Sequence, residues 1–142
     1  MRSWCVDRAA LSACIEQYER AWRSAGTAIL ADLFTADATY SVEPYAEPIV
    51  GLEALARWWE DNRDGPDEVF SMKVDVVAVD GEAGVARVEV TYGDPIVQEY
   101  RDLWVVRLDP SGRCKAFEEW PFWPGHGRSP SERAETGDNT SG

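Results

Sequence analysis

The sequence predicts an α+β fold in which helices come first and a strongly curved, mixed but mostly antiparallel sheet follows and closes over them. Apolar residues recur at helical spacing through the first half, and from Val69 onward the period changes to two. Short glycine-containing turns join the later segments. A sheet that follows amphipathic helices must curl to bury their apolar stripes, and such a curl leaves a pocket.

Leu11, Ile15, Tyr18 and Trp22 form the stripe of the first helix, with Asp7 as its N-cap and Gly26 as its stop. Thr27 is expected to cap a short second helix in AILADLF, which buries Ile29, Leu30, Leu33 and Phe34. ADATYSVEP reads as a first strand ending at Pro44. Gly51 precedes LEALARWWEDN, where Leu52, Leu55, Trp58 and Trp59 make a third amphipathic helix before the breaker DGPD. Four strands are then expected in EVFSMKVDVVAV, GVARVEVTY, VQEYRDLWVVRL and RCKAFEEWPFW, with DGEAG and DPSG as turns. After Pro124 the sequence GHGRSPSERAETGDNTSG holds no aromatic or β-branched aliphatic residue, too little apolar surface to offset the entropy of ordering. Residues 1–124 thus read as one domain and residues 125–142 as a disordered tail.

A chain of 142 residues with 44% hydrophobic residues and seven Trp supports one real core. Its net charge of −12 opposes binding to nucleic-acid backbones and anionic membranes, since either would bring like charges together. No apolar run is long enough to span a bilayer, and the N-terminal residues lack the uninterrupted apolar stretch of a secretory signal, so a soluble cytoplasmic protein is expected. Cys5, Cys14 and Cys114 fit neither a disulfide framework nor a zinc site and read as reduced thiols, the last two as packing residues. The nucleotide- and metal-binding motifs are absent, so no metal and no cofactor are expected. The single histidine, His126, falls in the tail, which argues against a Ser-His-Asp triad.

Chemistry is suggested where carboxylates interrupt apolar faces. In VQEYRDLWVVRL, Tyr100, Asp102, Trp104, Val106 and Leu108 share one strand face, and Asp102 is its polar intruder. In FEEWPFWP two adjacent acids, Glu118 and Glu119, sit among aromatic residues, and alternation sends one of them to the face of Asp102. A bulged DPSG turn puts Glu118, Trp120 and Phe122 on that face, whereas an unbulged loop puts Phe117 and Glu119 there. Either way one glutamate joins Asp102. Two close acids repel when both ionise, so one pKa rises and the pair holds a proton at neutral pH, available as a general acid or hydrogen-bond donor. The alternative is a solvated face, or acids satisfied by Arg101, Arg107 or Arg113. Tyr18 lies on a buried stripe where its hydroxyl needs a partner, and Glu43 precedes Pro44 at the end of the first strand.

YERAWRSAG, LADLFTADATYSVEP, GLEALARWW, YRDLWVVRLDPSGR and FEEWPFWP together resemble the SnoaL-like branch of the nuclear transport factor two superfamily, from about Leu11 to Pro124. The resemblance implies a cone of three helices enclosed by a curved sheet, often dimeric through that sheet, around a deep apolar pocket. The superfamily includes ketosteroid isomerase, polyketide cyclases and scytalone dehydratase beside members that only bind, so the fold leaves function open. By position, the isomerase's helix tyrosine is similar to Tyr18 and its base to Glu43, while its donor aspartate aligns with Trp104, two residues beyond Asp102.

The expectation is therefore an enzyme without metal or cofactor that moves protons on an apolar, carbonyl-bearing metabolite in an isomerisation, cyclisation or dehydration. Glu43 is its expected base, and Tyr18 with the Asp102 and Glu119 pair its expected donors. Trp22, Tyr40, Trp58, Phe70, Trp104, Glu118 and Trp120 are expected to hold the substrate, and a homodimer is expected. The rival expectation is a non-catalytic ligand-binding or dimerisation module whose own Trp side chains fill the pocket.

Overall fold

The computed structural model describes residues 5–62 and 68–125. The elements run α1 (Arg8–Arg23), α2 (Leu30–Leu33), β1 (Phe34–Ser41), β2 (Ile49–Val50), α3 (Leu52–Asn62), β3 (Phe70–Asp80), β4 (Ala83–Tyr92), β5 (Gln98–Leu108) and β6 (Cys114–Trp120). This is the α+β order expected, helices ahead of a curved sheet. From residue 126 on, the tail and His126 lie outside the described residues.

Asp7 caps α1 as predicted: its Oδ1 accepts from the Ala10 amide at 2.7 Å, satisfying one of the helix's unpaired N–H groups. The far end closes at Ser24, whose backbone N–H donates to the Ala21 carbonyl, two residues before Gly26. The second helix is shorter than predicted and Thr27 gives it only a backbone carbonyl, to the Leu30 amide, with no side-chain cap. Phe34, expected on that helix, opens β1 instead and is 1% exposed there. An aromatic ring packs well on a pleated surface, so the same burial is met from a strand.

The six strands form one sheet in the order β2-β1-β6-β5-β4-β3. β3 to β6 make the expected antiparallel meander, with Gly81 at φ +59 in the first tight turn and Gly112 at φ +89 in the DPSG turn, conformations open to glycine. β6 then pairs in parallel with β1, Tyr40 beside Phe117, so the first long strand and the last lie side by side. β2 adds two residues to the outer edge of β1.

The concave face holds the core. Leu11, Cys14 and Ile15 of α1, Leu55 and Trp59 of α3, Tyr40, Val88, Val106, Leu108 and Phe117 of the sheet are all buried, each large aliphatic contributing ~1.5–3 kcal/mol by leaving water. At Gly84 of β4 there is no room for a side chain: a Cβ would lie 2.5 Å from Leu11 Cδ2, so the missing side chain lets α1 settle on the sheet. Cys14 and Cys114 are free and buried as expected, and burial pushes the Cys14 thiol up to about 12, which keeps it protonated and unreactive. Among the described residues no helix is long and apolar enough to cross a membrane.

Candidate functional site

The helices fill one end of the curled sheet and leave the other hollow. Toward Gly84 and Leu108 the concave face is sealed by aliphatic residues; toward Tyr92 and Tyr100 it opens into a cavity of about 530 Å³. Its walls come from Tyr18 and Trp22 on α1, Tyr40 on β1, Trp58 and Asn62 on α3, and Phe70 and Met72 on β3. Val90 and Tyr92 on β4, Gln98, Tyr100, Asp102 and Trp104 on β5, Glu119 on β6, and Glu68, Pro121 and Trp123 complete it.

The face of each acid follows from one irregularity in the β5 and β6 ladder. Leu108 pairs with Cys114 but Arg107 pairs with Ala116, so Lys115 is an extra residue, a β-bulge. The bulge keeps Cys114 inward and still turns Phe117 and Glu119 inward, opposite Val106 and Trp104. The DPSG turn therefore has its left-handed glycine, and the strand beyond it still follows the unbulged pattern. Glu118 and Trp120 consequently face outward, against Val105 and Leu103, and neither lines the cavity. Their expected substrate contacts are corrected by this register. Glu43 is displaced too. β1 ends at Ser41, and Glu43 stands exposed in the following turn, its carbonyl accepting from the Ala46 amide. The chain turns before Pro44 is reached, so the expected base is carried away from the cavity.

Asp102 is 2% exposed, the only buried charged residue among the described ones. Its Oδ2 accepts from the Trp104 indole N–H at 3.3 Å, and its Oδ1 meets no N–H or hydroxyl donor. Glu119 is half-buried, lines the cavity and hydrogen-bonds to Asp102; two carboxylates have no hydrogen to share, so this bond requires a proton on one of them. Burial, then that hydrogen bond, then the negative charge of Asp102 push the Glu119 carboxyl well above the usual carboxylate range. Glu119 is the group that holds the proton.

In the same cavity the hydroxyls of Tyr18 and Tyr40 lie 2.6 Å apart. Phe117 stacks on both rings, at 4.6 Å from Tyr40 and 5.4 Å from Tyr18, and fixes their direction. Burial first, then the neighbouring acidic group (the Glu119 carboxyl for Tyr18, the Tyr18 hydroxyl for Tyr40), raises both phenols well above their ordinary value, so both keep their protons at neutral pH. Trp22, Tyr40, Trp58, Phe70 and Trp104 stand on the cavity wall. Glu68, Tyr92, Tyr100 and Trp123 were not singled out from sequence. Tyr100 shared a strand face with Asp102 and was legible there; Glu68 stands just ahead of β3 and carried no pattern. Its Oε1 accepts from the Trp22 indole N–H at 2.7 Å. No group of three or more His, Cys, Asp or Glu among the described residues is placed to hold a metal ion.

The model of the SnoaL-like domain family matches residues 15–116. No curated protein matches the chain with significance. Among solved structures it is similar to a protein of unknown function with a cystatin-like fold from Methylobium petroleophilum PM1, at 16% identity and a TM-score of 0.66, covering 89% of this chain and 83% of that one. SalBIII, an epoxide hydrolase/cyclase-like enzyme of pyran ring formation in the polyether salinomycin, is similar at 15% identity and a TM-score of 0.64, covering 82% and 91%. An LEH-like epoxide hydrolase from Mycobacterium tuberculosis is similar at 15% identity and a TM-score of 0.62, covering 80% and 84%. At these identities the likeness is one of fold.

Proposed function

The chain belongs to the SnoaL-like domain family, and from that membership we propose that it is an acid/base enzyme whose own side chains move protons on an apolar, carbonyl-bearing metabolite, in an isomerisation, cyclisation or dehydration. The observation that carries this reading is the hydrogen-bonded pair of Asp102 and Glu119 on the wall of an aromatic cavity. One acid holds a proton and the other accepts it, which is the pairing that acid/base chemistry at neutral pH needs.

In this reading Asp102 takes a proton from the substrate and Glu119 donates one, a division worth ~10²–10⁴ in rate for each positioned group. With Tyr40 donating to the Tyr18 oxygen, the Tyr18 hydrogen is left for a substrate oxygen on which negative charge develops. Trp58, Tyr92, Tyr100 and Trp123 hold the apolar body. The fold likeness to the cyclase-like SalBIII supports ring closure as one of the three reactions. We read the molecule as a soluble, cytoplasmic homodimer joined through the outer sheet face, where Leu103 and Trp120 pair across strands and are 40% and 41% exposed.

The test is deuterium exchange at the α-carbon of a panel of apolar ketones in D₂O, followed by NMR. Wild type is expected to accelerate exchange on at least one ketone, and Asp102→Asn to lower that rate by about 10²-fold or more. Exchange no faster with wild type than with Asp102→Asn sinks the proton-abstraction step. The displacement of Glu43 favours a second reading, ligand binding without turnover. Saturable quenching of Trp fluorescence by ketones that show no exchange is its signature.

A further inference from the structure

Two carboxyl groups share one proton on the cavity wall, and their unequal burial would give it to Asp102. Asp102 is 2% exposed, whereas Glu119 is half-buried. An ionised carboxyl suffers most where water is scarcest, so desolvation by itself favours charge on the less buried Glu119 and the proton on Asp102. The cross-strand neighbour of Asp102 on β4 is Val88, whose side chain has no polar atom to offset a charge. Another contact must decide.

That contact is the Trp104 indole. Its N–H donates to Asp102 Oδ2 at 3.3 Å, and among the described residues no other N–H or hydroxyl reaches Asp102. None donates to Glu119, whose hydrogen-bond partner is Asp102. An indole nitrogen has a hydrogen to give and cannot accept one, so it favours an ionised oxygen beside it. Hydrogen bonds to a charged acceptor are roughly twice as strong as those to a neutral one. Charge is thereby drawn to Asp102, and the proton is left on Glu119.

The direction of the indole is built into the fold. Asp102 and Trp104 stand two residues apart on one face of β5, so both side chains project the same way. The Tyr18 ring tilts against the indole at 4.6 Å, and Phe117 meets it edge-on at 5.0 Å. Its cross-strand neighbours are the small, buried Ala86 on one side and Glu119 on the other. Trp104 is itself buried, so bulk water scarcely competes for its N–H.

We propose that Trp104 is a positioning residue of the acid pair: its indole N–H holds Asp102 as the carboxylate that accepts a proton and leaves Glu119 as the acid that gives one. This rests on the reading of Asp102 and Glu119 as the acid/base pair, and it names the residue that assigns their roles. Trp104 acts through Asp102.

The test labels the carboxyl carbons of Asp or of Glu with ¹³C in the full chain and reads them by NMR at neutral pH. Asp102→Asn and Glu119→Gln assign the two resonances. Wild type is expected to show Glu119 protonated and Asp102 ionised. Trp104→Phe keeps a ring against Tyr18 and Phe117 but removes the N–H, and the proton is expected to shift toward Asp102. Ketone exchange at saturation is expected to fall about ten-fold with KM held. A ring that serves packing alone would leave both resonances in place. Replacing the Trp104 indole with its benzothienyl isostere, which has sulfur where the N–H stood, gives the same reading should the Phe variant fail to fold. Asp102 protonated in wild type, or resonances unmoved when the N–H is removed, overturns the proposal while the acid/base reading stands. If both acids are ionised in wild type, the pair holds no proton, and that reading falls with this inference.

Discussion

Glu119 and Glu118 are chemically identical neighbours, and one bulged residue sends them to different solvents. Glu118 faces water on the convex side, while the Glu119 carboxyl sits beside Asp102 and keeps its proton. The sign of the stability effect follows. A carboxyl whose folded pKa is raised favours the folded state fully below its unfolded value, ~4.3, and that contribution is lost as pH rises through the folded value, at ~1.4 kcal/mol per pH unit between the two. Thermal melts from pH 4 upward are expected to show the wild-type midpoint falling relative to Glu119→Gln, with the gap growing until Glu119 ionises. A gap constant across that range would place Glu119 in the ordinary carboxylate range. Alternation alone made one glutamate face Asp102 legible in the sequence, but which one depends on the extra residue Lys115, and a bulge leaves no mark in residue types. Glu43 was misplaced for a related reason: a match of an acid beside a proline ignores where the strand stops.

At the scale of elements, the first helix and the fourth strand are fitted to each other through an absence. Leu11 is fully buried against Gly84, and a methyl group added there would sit 2.5 Å from its Cδ2. Gly84→Ala is expected to destabilise by ~1–3 kcal/mol through overpacking, and Leu11→Ala by ~2–5 kcal/mol through the cavity it leaves. The double variant is expected to cost clearly less than the sum, because the new methyl occupies part of the vacated space. Urea denaturation of the four proteins reads this coupling, and strict additivity would show that the contact carries no strain. The helices and the β3 to β6 meander were readable because their periods are long and regular. β2 was not, since two residues carry no period. Phe34 shows a further limit: an apolar residue between two elements satisfies either pattern.

For the whole molecule, the outer sheet face is the surface on which the proposed assembly is tested. Leu103, Trp120 and Phe122 are each about two-fifths exposed on or beside β5 and β6, and the proposed homodimer covers them. Sedimentation is expected to give about twice the chain mass of 15.9 kDa, and Leu103→Lys, which places a charge on the proposed interface, is expected to return it to one. A wild-type mass of one chain ends the dimer proposal. The cone architecture was legible through the family resemblance, whereas the position of β6 was not, because a parallel pairing of distant strands has no local signature.

That pairing fixes the order in which the molecule can become complete. β6 slots between β1 and β5, so neither the early strand nor the late one has its neighbour until synthesis has passed Trp120. A nascent chain stopped before Cys114 offers two open ladders and the uncovered rings of Phe34 and Tyr40, which is the kind of surface that recruits other unfinished chains. The keystone strand also delivers Glu119, so the proton-holding acid reaches its place in the same event that closes the sheet.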